Sequence, residues 1–234
     1  TASKQIIFEH PLNERTRTLL RFEHLFNKTI HHSSKSDAWD SRAAISGILD
    51  MLNILLSRTD MKSELLKELR RYHTYLTGLT SSQGVNTQLL ERILEQIGQS
   101  SSEIQNNIGQ IGHKLREDEF LQSILHRSSI PGGNCAFDLP LYHYWLEKPA
   151  EDRIANLEKW LETLSPIQRS VMLLLSIMRD SSTPENVCAE NGMFQMALDT
   201  QSPARMIRIA LPTASNYFPK VSGNRHRFSI RFLV

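Results

Sequence analysis

The feature that most constrains the fold is a change in the spacing of apolar residues along the 234-residue chain. From about residue 14 to residue 179, apolar side chains recur every three or four positions, which places them on one side of an α-helix. After a loop at Ser181–Pro184 they alternate with polar residues, as in strands that bury one face. The sequence therefore predicts a long helical part followed by a short β part.

The helical part is predicted to be a bundle of helices with short connections. Asp37 is the expected N-cap of the second helix. A fifth helix is predicted from Ile104 through Ile124, and a short strand at Cys135–Leu139 follows the breaker Ile130–Asn134. The other predicted segments are a first helix around Leu19–Ile30, a third at Asp60–Leu76, a turn at Thr80–Gly84, a fourth helix around Leu89–Ile97, and later helices at Pro140–Leu146, Ala150–Leu164 and Pro166–Arg179.

The β part is predicted to hold three strands and to recruit a fourth from the N-terminus. A strand at Ser3–Phe8 is expected to pair with the C-terminal strands, because a lone strand leaves its edge unpaired. The predicted class is α+β, with a multi-helix domain at 10–183 and a small, mostly antiparallel β domain made of 1–9 and 184–234. The C-terminal strands are predicted at Met193–Leu198, Arg205–Leu211 and Arg225–Val234, with a turn at Ser222–Asn224.

Several classes of protein are disfavoured by what the sequence lacks. It has no phosphate-binding loop, dinucleotide fingerprint or metal-binding motif, so no cofactor or metal is expected. Cys135, after a Gly-Gly turn and with His143 nearby in sequence, could be a nucleophile; a buried structural cysteine is the better interpretation, as it is for Cys188. Because no catalytic motif is present, the protein is expected not to be an enzyme. No segment suits a membrane span or a signal peptide, so a cytoplasmic protein is expected.

Charge is unevenly distributed along the chain. From Thr200 to the C-terminus there are six Lys and Arg residues and no Asp or Glu. The remaining 199 residues carry 21 basic and 25 acidic side chains, a net charge of −4. A segregated charge of this kind indicates an anionic partner.

The last predicted strand concentrates this positive charge on one face. Alternation places Arg225, Arg227 and Arg231 on one side, with Ser229 between the last two, about 7 Å from one such residue to the next. The other side carries the residues that a core requires: His226, Phe228, Ile230 and Phe232. Arg208 on the preceding strand could extend the same basic patch.

The partner of this face is predicted to be a protein segment rich in carboxylates, which arginine binds in bidentate fashion. Alternatives are a solvated face without a partner, a membrane surface and nucleic acid. Nucleic-acid binding is the main alternative function, although it would favour a pI above about 9 and aromatic residues on the basic face. The pI is about 8.6, and the aromatic residues of the last strand lie on its other side.

Motifs spread over nearly the whole chain resemble one known family, ZapD, the bacterial division proteins associated with the Z-ring. The motifs occur in the family's order. They are Phe8–Glu14, Glu64–Leu69, Leu115–Asp118, Ser129–Gly133, Phe137–Pro140, and Ser222–Gly223 followed by Arg227–Phe228 and Ile230–Phe232.

The resemblance implies a cytoplasmic homodimer at the midcell division site, which dimerises through its helical domain. It also implies binding to the C-terminal tail of FtsZ and cross-linking of FtsZ protofilaments into bundles that support septation. Arg225 lies where the family is less regular. The family's basic binding positions fall on Arg21, Arg58, Arg116, His143, Arg227 and Arg231.

Overall fold

The computed structural model describes residues 4–58, 60–80, 86–106, 112–199, 201 and 204–234. Within these ranges the chain forms eight helices and five strands, which confirms the predicted α+β class. In chain order they are β1 (Gln5–Pro11), α1 (Glu14–Ser33), α2 (Ala38–Ser57), α3 (Met61–Gly78), α4 (Thr87–Asn106), α5 (His113–Arg116), α6 (Glu119–Arg127), α7 (Pro140–Leu146), α8 (Ala150–Asp180), β2 (Met193–Ala197), β3 (Met206–Pro212), β4 (Phe218–Gly223) and β5 (Arg227–Leu233).

The chain divides into two compact units. One, the β unit, comprises Thr1–Arg21 and Leu175–Val234, and the other, the helical unit, comprises Phe22–Leu174. The division falls within α1 and α8, because the first turns of α1 and the last turn of α8 group with the strands.

The core of the helical unit includes apolar side chains that α1 and α2 carry at helical spacing. Phe22 and Phe26 of α1 are fully buried, with ring centroids 6.1 Å apart. The two helix backbones approach closely at Gly47, where a Cβ atom would lie 2.1 Å from the Thr29 hydroxyl oxygen. The predicted cap of α2 is confirmed, since the Asp37 carboxylate accepts a hydrogen bond of 2.7 Å from the Trp39 backbone amide.

The predicted fifth helix is wrong. Ile104 lies on α4, and α5 and α6 are separate helices divided at Glu117–Asp118. The Asp118 carboxylate begins α6 by accepting hydrogen bonds from the Leu121 amide, at 3.1 Å, and the Trp160 indole, at 2.8 Å. These contacts with side chains favour a new helix start over continuation of the old one. Residues 107–111 of that prediction, and residues 81–84 of the predicted turn, lie outside the described residues.

Two further local predictions are corrected. Helix α8 is continuous through Pro166, where two helices were expected. Proline lacks only one amide donor, and the buried side chains of Leu164 and Ile167 on either side favour an unbroken helix. The strand expected at Cys135–Leu139 is a series of turns, in which the Cys135 carbonyl accepts the amides of Asp138 and Leu139 at 3.1 and 3.0 Å.

The β unit contains two antiparallel sheets. Strand β1 pairs with β3, with Phe8 opposite Ile209, which confirms that the N-terminal strand pairs with a C-terminal one. The second sheet has the order β2-β5-β4. A small apolar core joins them: Leu12, Phe228 and Ile230 are buried, and they pack with Phe194, Leu198, Ala204, Ile207, Ile209, Val221 and Phe232.

Strand β4 is absent from the sequence prediction, which placed a turn at Ser222–Asn224. Ser222 and Gly223 instead end β4, and the turn to β5 begins at Asn224. Proline within β4 made the segment look unlike a strand in the sequence. The proline is tolerated because β4 is an edge strand. Position 223 has room only for glycine, because a Cβ atom there would lie 2.7 Å from the Cβ atom of Phe228 on β5.

One carboxylate links β1, β3 and the end of α8. Glu9 accepts two hydrogen bonds from the Arg179 guanidinium, at 2.8 and 2.7 Å, and one from Arg208 at 3.0 Å. The Arg179 hydrogen bonds hold the pKa of Glu9 below its ordinary value, against burial, which raises it. Arg208 therefore has a partner of its own in the other sheet, and the expectation that it extends the basic patch of the last strand is wrong.

Replacing Glu9 with glutamine is expected to lower the free energy of unfolding by about 1–3 kcal/mol at neutral pH. Because the folded pKa is lowered, this stabilisation is complete above pH 4.5, the ordinary value, and is lost as the pH falls through the folded pKa. Urea unfolding of both proteins from pH 7 to pH 3 measures the difference. Glu14→Gln is the control, because the Glu14–Arg17 pair is largely exposed and should change stability little. A difference that is the same at all pH values would contradict this role of the Glu9 carboxylate.

Candidate partner-binding surface

The last strand carries its arginines on a solvent-facing side, as alternation predicted. Arg227 and Arg231 are exposed, whereas Phe228 and Ile230 between them are buried against the core of the β unit. The apolar side chains therefore fix the strand, and the guanidinium groups project outward from a rigid sheet.

A third cation joins them from the neighbouring strand. Lys220 of β4 lies directly opposite Arg231 in the register and is also exposed. We call these three residues, Lys220, Arg227 and Arg231, the basic face. Sequence reasoning missed Lys220 as a binding residue because strand β4 was not predicted and only the pairing register shows which strand residues are neighbours.

Within the strands β2, β4 and β5 themselves, the outward face of this sheet carries no carboxylate. The residues that share it with the basic face, from the pairing register, are Met193, Gln195 and Ala197 of β2, Phe218 and Ser222 of β4, and Ser229 and Leu233 of β5. Like charges directly opposite each other in a sheet are destabilising, so the Lys220–Arg231 pair is unfavourable in the isolated protein. An anion that contacts both side chains would remove this repulsion.

Aromatic side chains were expected to be absent from the side of the sheet that carries the arginines. This is correct for β5, but β4 places one there. Phe218 lies opposite Leu233 on the outward side, and 48% of it is exposed. The sequence pattern of β5 alone could not show this, since Phe218 reaches that side through the pairing of β4.

Arg225 does not belong to the strand. It lies in the turn before β5, where the Asn224 side-chain oxygen accepts the amides of His226, at 2.9 Å, and Arg227, at 3.2 Å. The Arg225 Nε donates a hydrogen bond of 2.9 Å to the His226 ring. Arg225 is exposed beside the basic face, at its Arg227 end.

Arg21 is the remaining candidate in the β unit. It is exposed on α1, one residue before the buried Phe22. The other three candidates belong to the helical unit, so the seven predicted residues are divided between the two units: Arg21, Arg225, Arg227 and Arg231 in one, and Arg58, Arg116 and His143 in the other.

Arg58 and Arg116 come together at the C-terminal end of α2. Arg58 follows the last residue of that helix and pairs with Glu64 of α3 at 3.3 Å. Arg116 donates a hydrogen bond of 2.9 Å to the Leu55 backbone carbonyl. Cations are favourable at the negative end of a helix, so both arginines stabilise the end of α2 as well as contributing positive charge.

His143 is half-exposed on α7. Its Nδ1 lies 3.9 Å from the Glu147 carboxylate, one turn further along. His143 is therefore a surface residue and not part of the core.

Both cysteine thiols are exposed, so the prediction that they are buried is wrong. Cys135 lies in consecutive turns and Cys188 in a segment without regular structure, and neither backbone directs a side chain into a core. Over the described ranges, no cluster of three His, Cys, Asp or Glu side chains could hold a metal ion. Over the same ranges, every helix is too short or too polar to cross a membrane.

Known proteins are similar in sequence to this chain over almost its whole length. The sequence model of ZapD, described as a cell division protein, matches residues 20–231. The chain is 39% identical over 230 residues to the Cell division protein ZapD of Methylococcus capsulatus, covering 98% of this chain and 90% of that protein. It is 38% identical over 227 residues to the protein of the same name from Dechloromonas aromatica, covering 97% and 89%. A third such protein, from Aromatoleum aromaticum, is 37% identical over 233 residues, covering 100% and 90%. As its motifs predicted, the chain belongs to the ZapD family of cell division proteins and has a role in cell division.

Proposed function

We propose that this protein binds the C-terminal tail of FtsZ and, as a homodimer, cross-links FtsZ protofilaments into bundles at the division site in the cytoplasm. The observation that carries the proposal is the basic face: three exposed cations on one sheet surface, two of them directly opposite each other, without a carboxylate among the outward residues described for β2, β4 and β5. A flexible carboxylate-bearing segment fits such a surface without any chemical step, so no catalytic role is assigned.

The remaining candidates are proposed as further binding residues, each on its own unit. Arg225 continues the positive charge beyond Arg227, and Arg21 adds an exposed cation in the β unit. Arg58, Arg116 and His143 would contribute from the helical unit, which is also the proposed dimerisation domain. A two-fold dimer presents every site twice. Because FtsZ filaments carry many tails, two weak sites on one dimer raise the effective concentration and hold adjacent protofilaments together.

Co-sedimentation with FtsZ polymers tests this proposal. Full-length FtsZ assembled with GTP is expected to carry the protein into the pellet as bundles, and FtsZ without its C-terminal tail is expected not to. Raising the salt concentration should release the protein progressively, because exposed ion pairs are screened within about 8 Å at physiological ionic strength. Equal pelleting with tail-less FtsZ, or bundling that is unchanged at high salt, would contradict electrostatic docking of the tail.

A further inference from the structure

The outward side of the β2-β5-β4 sheet ends in a group of apolar side chains that the basic residues border. Met193 lies opposite Arg231, and Phe218 lies opposite Leu233, two residues beyond Arg231. Met193 is 37% exposed and Phe218 is 48% exposed. We call these three residues, Met193, Phe218 and Leu233, the apolar margin.

The apolar margin is separate from the core of the β unit. The core is on the other side of the sheet, where the alternate residues of these strands pack, such as Phe194, Val221 and Phe232. Single exposed apolar residues are ordinary on protein surfaces. Here two exposed apolar residues, Met193 and Phe218, lie with the partly buried Leu233 at one end of a face whose charged strand residues are all cations. This combination of an apolar area with a charged border is typical of a protein-binding site.

We propose that the basic face and the apolar margin together bind an extended acidic peptide that carries a bulky apolar side chain two residues from an acidic one. Successive rows of outward side chains on a sheet are about 7 Å apart, which is also the distance between residues i and i+2 on one side of an extended peptide. A carboxylate held by Lys220 and Arg231 therefore places a side chain two residues away over Phe218 and Leu233. This inference rests on the proposed function, and it specifies the sequence pattern that the tail must present.

Two synthetic peptides of identical composition provide a direct test. The first has two aspartates four positions apart, matching Arg227 and Arg231, and a leucine two positions from one of them; it is made in both chain directions. The second has the leucine moved by one residue, so that it faces the opposite side. The full chain is expected to bind the better direction of the first peptide about tenfold more tightly than the second, the effect of burying a large apolar side chain. Fluorescence anisotropy measures both affinities over a range of salt concentrations.

Phe218→Ser should remove the preference between the peptides and leave the dependence on salt unchanged, because it removes apolar contact and no charge. Phe137→Ser is the matched control: Phe137 is 84% exposed and lies in the helical unit, so the preference should persist. Equal affinity of the unaltered protein for the two peptides would overturn the inference, as would a failure to bind either peptide. The peptide comparison needs no protein variant, so it remains decisive even if Phe218→Ser reduces stability.

A single-stranded oligonucleotide is titrated in parallel, because Phe218 beside cations could also stack on a base. Tighter binding of the oligonucleotide than of the leucine peptide would overturn the inference in favour of nucleic acid. The proposed function is tested independently: loss of pelleting on removal of the FtsZ tail does not depend on which peptide binds better. The two proposals can therefore fail separately.

Discussion

If the protein binds FtsZ as proposed, Arg231→Glu is expected to abolish co-sedimentation with FtsZ polymers while leaving the fold and the oligomeric state unchanged. The new carboxylate would lie directly opposite Lys220, so it would repel an acidic tail and also neutralise the neighbouring cation. Reversing one member of a close charge pair costs several kcal/mol, so the affinity for the tail should fall by about 100-fold or more. Arg227→Glu is expected to act in the same direction, although Arg227 lies opposite Ala197 and has no cation across from it to neutralise.

The stability of the Arg231→Glu protein separates a binding role from a structural one. The Lys220–Arg231 repulsion becomes an attraction in the variant, so its melting temperature should be unchanged or slightly raised. Arg92→Glu, an exposed position on α4, makes the same change in net charge and should co-sediment normally. Sedimentation velocity and circular dichroism, compared with the unaltered protein, check the oligomeric state and the fold. If Arg231→Glu pellets as the unaltered protein does, the basic face is a solvated surface.

Arg153→Met is expected to cause a large loss of stability in the helical unit. Arg153 is only 6% exposed, and its guanidinium donates hydrogen bonds to the Ser41 hydroxyl at 3.1 Å and the Leu146 carbonyl at 3.0 Å. It also donates to the backbone carbonyls of Ser36 and Lys148. One side chain on α8 thus satisfies carbonyls in the α1–α2 connection and at the end of α7, and methionine can satisfy none of them.

The expected loss is about 3–5 kcal/mol, because three carbonyls and a hydroxyl lose a charge-assisted hydrogen bond and each buried group left unsatisfied costs about 1–3 kcal/mol. Urea unfolding at neutral pH measures it. Lys159→Met is the matched control, because Lys159 lies on the same helix and is exposed, so the change should stay within about 0.5 kcal/mol. A loss below about 1 kcal/mol for Arg153→Met would mean that the carbonyls find other partners and that the Arg153 network is not required for the fold.

Features that depend on neighbouring residues in sequence were predictable. The alternation in β5 predicted that Arg227 and Arg231 are exposed and that Phe228 and Ile230 enter the core. It was wrong for His226, which was expected on the core side and is exposed in the turn before β5. Asp37 was predictable as a cap because capping needs only the next few residues. The Asp118 cap was missed for a related reason: apolar spacing continues across it, and the indole that helps to hold its carboxylate belongs to Trp160, 42 residues away.

Features that depend on distant pairing were not predictable from pattern. Glu9 and Arg208 are 199 residues apart, so nothing local showed that this cation is neutralised. The positions of Lys220 and Phe218 beside the arginines depend on the register between β4 and β5. The alternation of residues in the sequence predicts on which side of a strand a side chain lies. To know which residues share a surface, one must also know the order of the strands and their register.

The two exposed cysteines have a practical consequence for studying bundling. Cys135 lies in the helical unit and Cys188 in the β unit, and the chain contains no other cysteine. Thiol-reactive dyes or spin labels can therefore be attached to one reporter site in each unit without introducing a residue. Distances between the two labels, measured in the free protein and after mixing with FtsZ filaments, would show whether the units rearrange on the proposed binding.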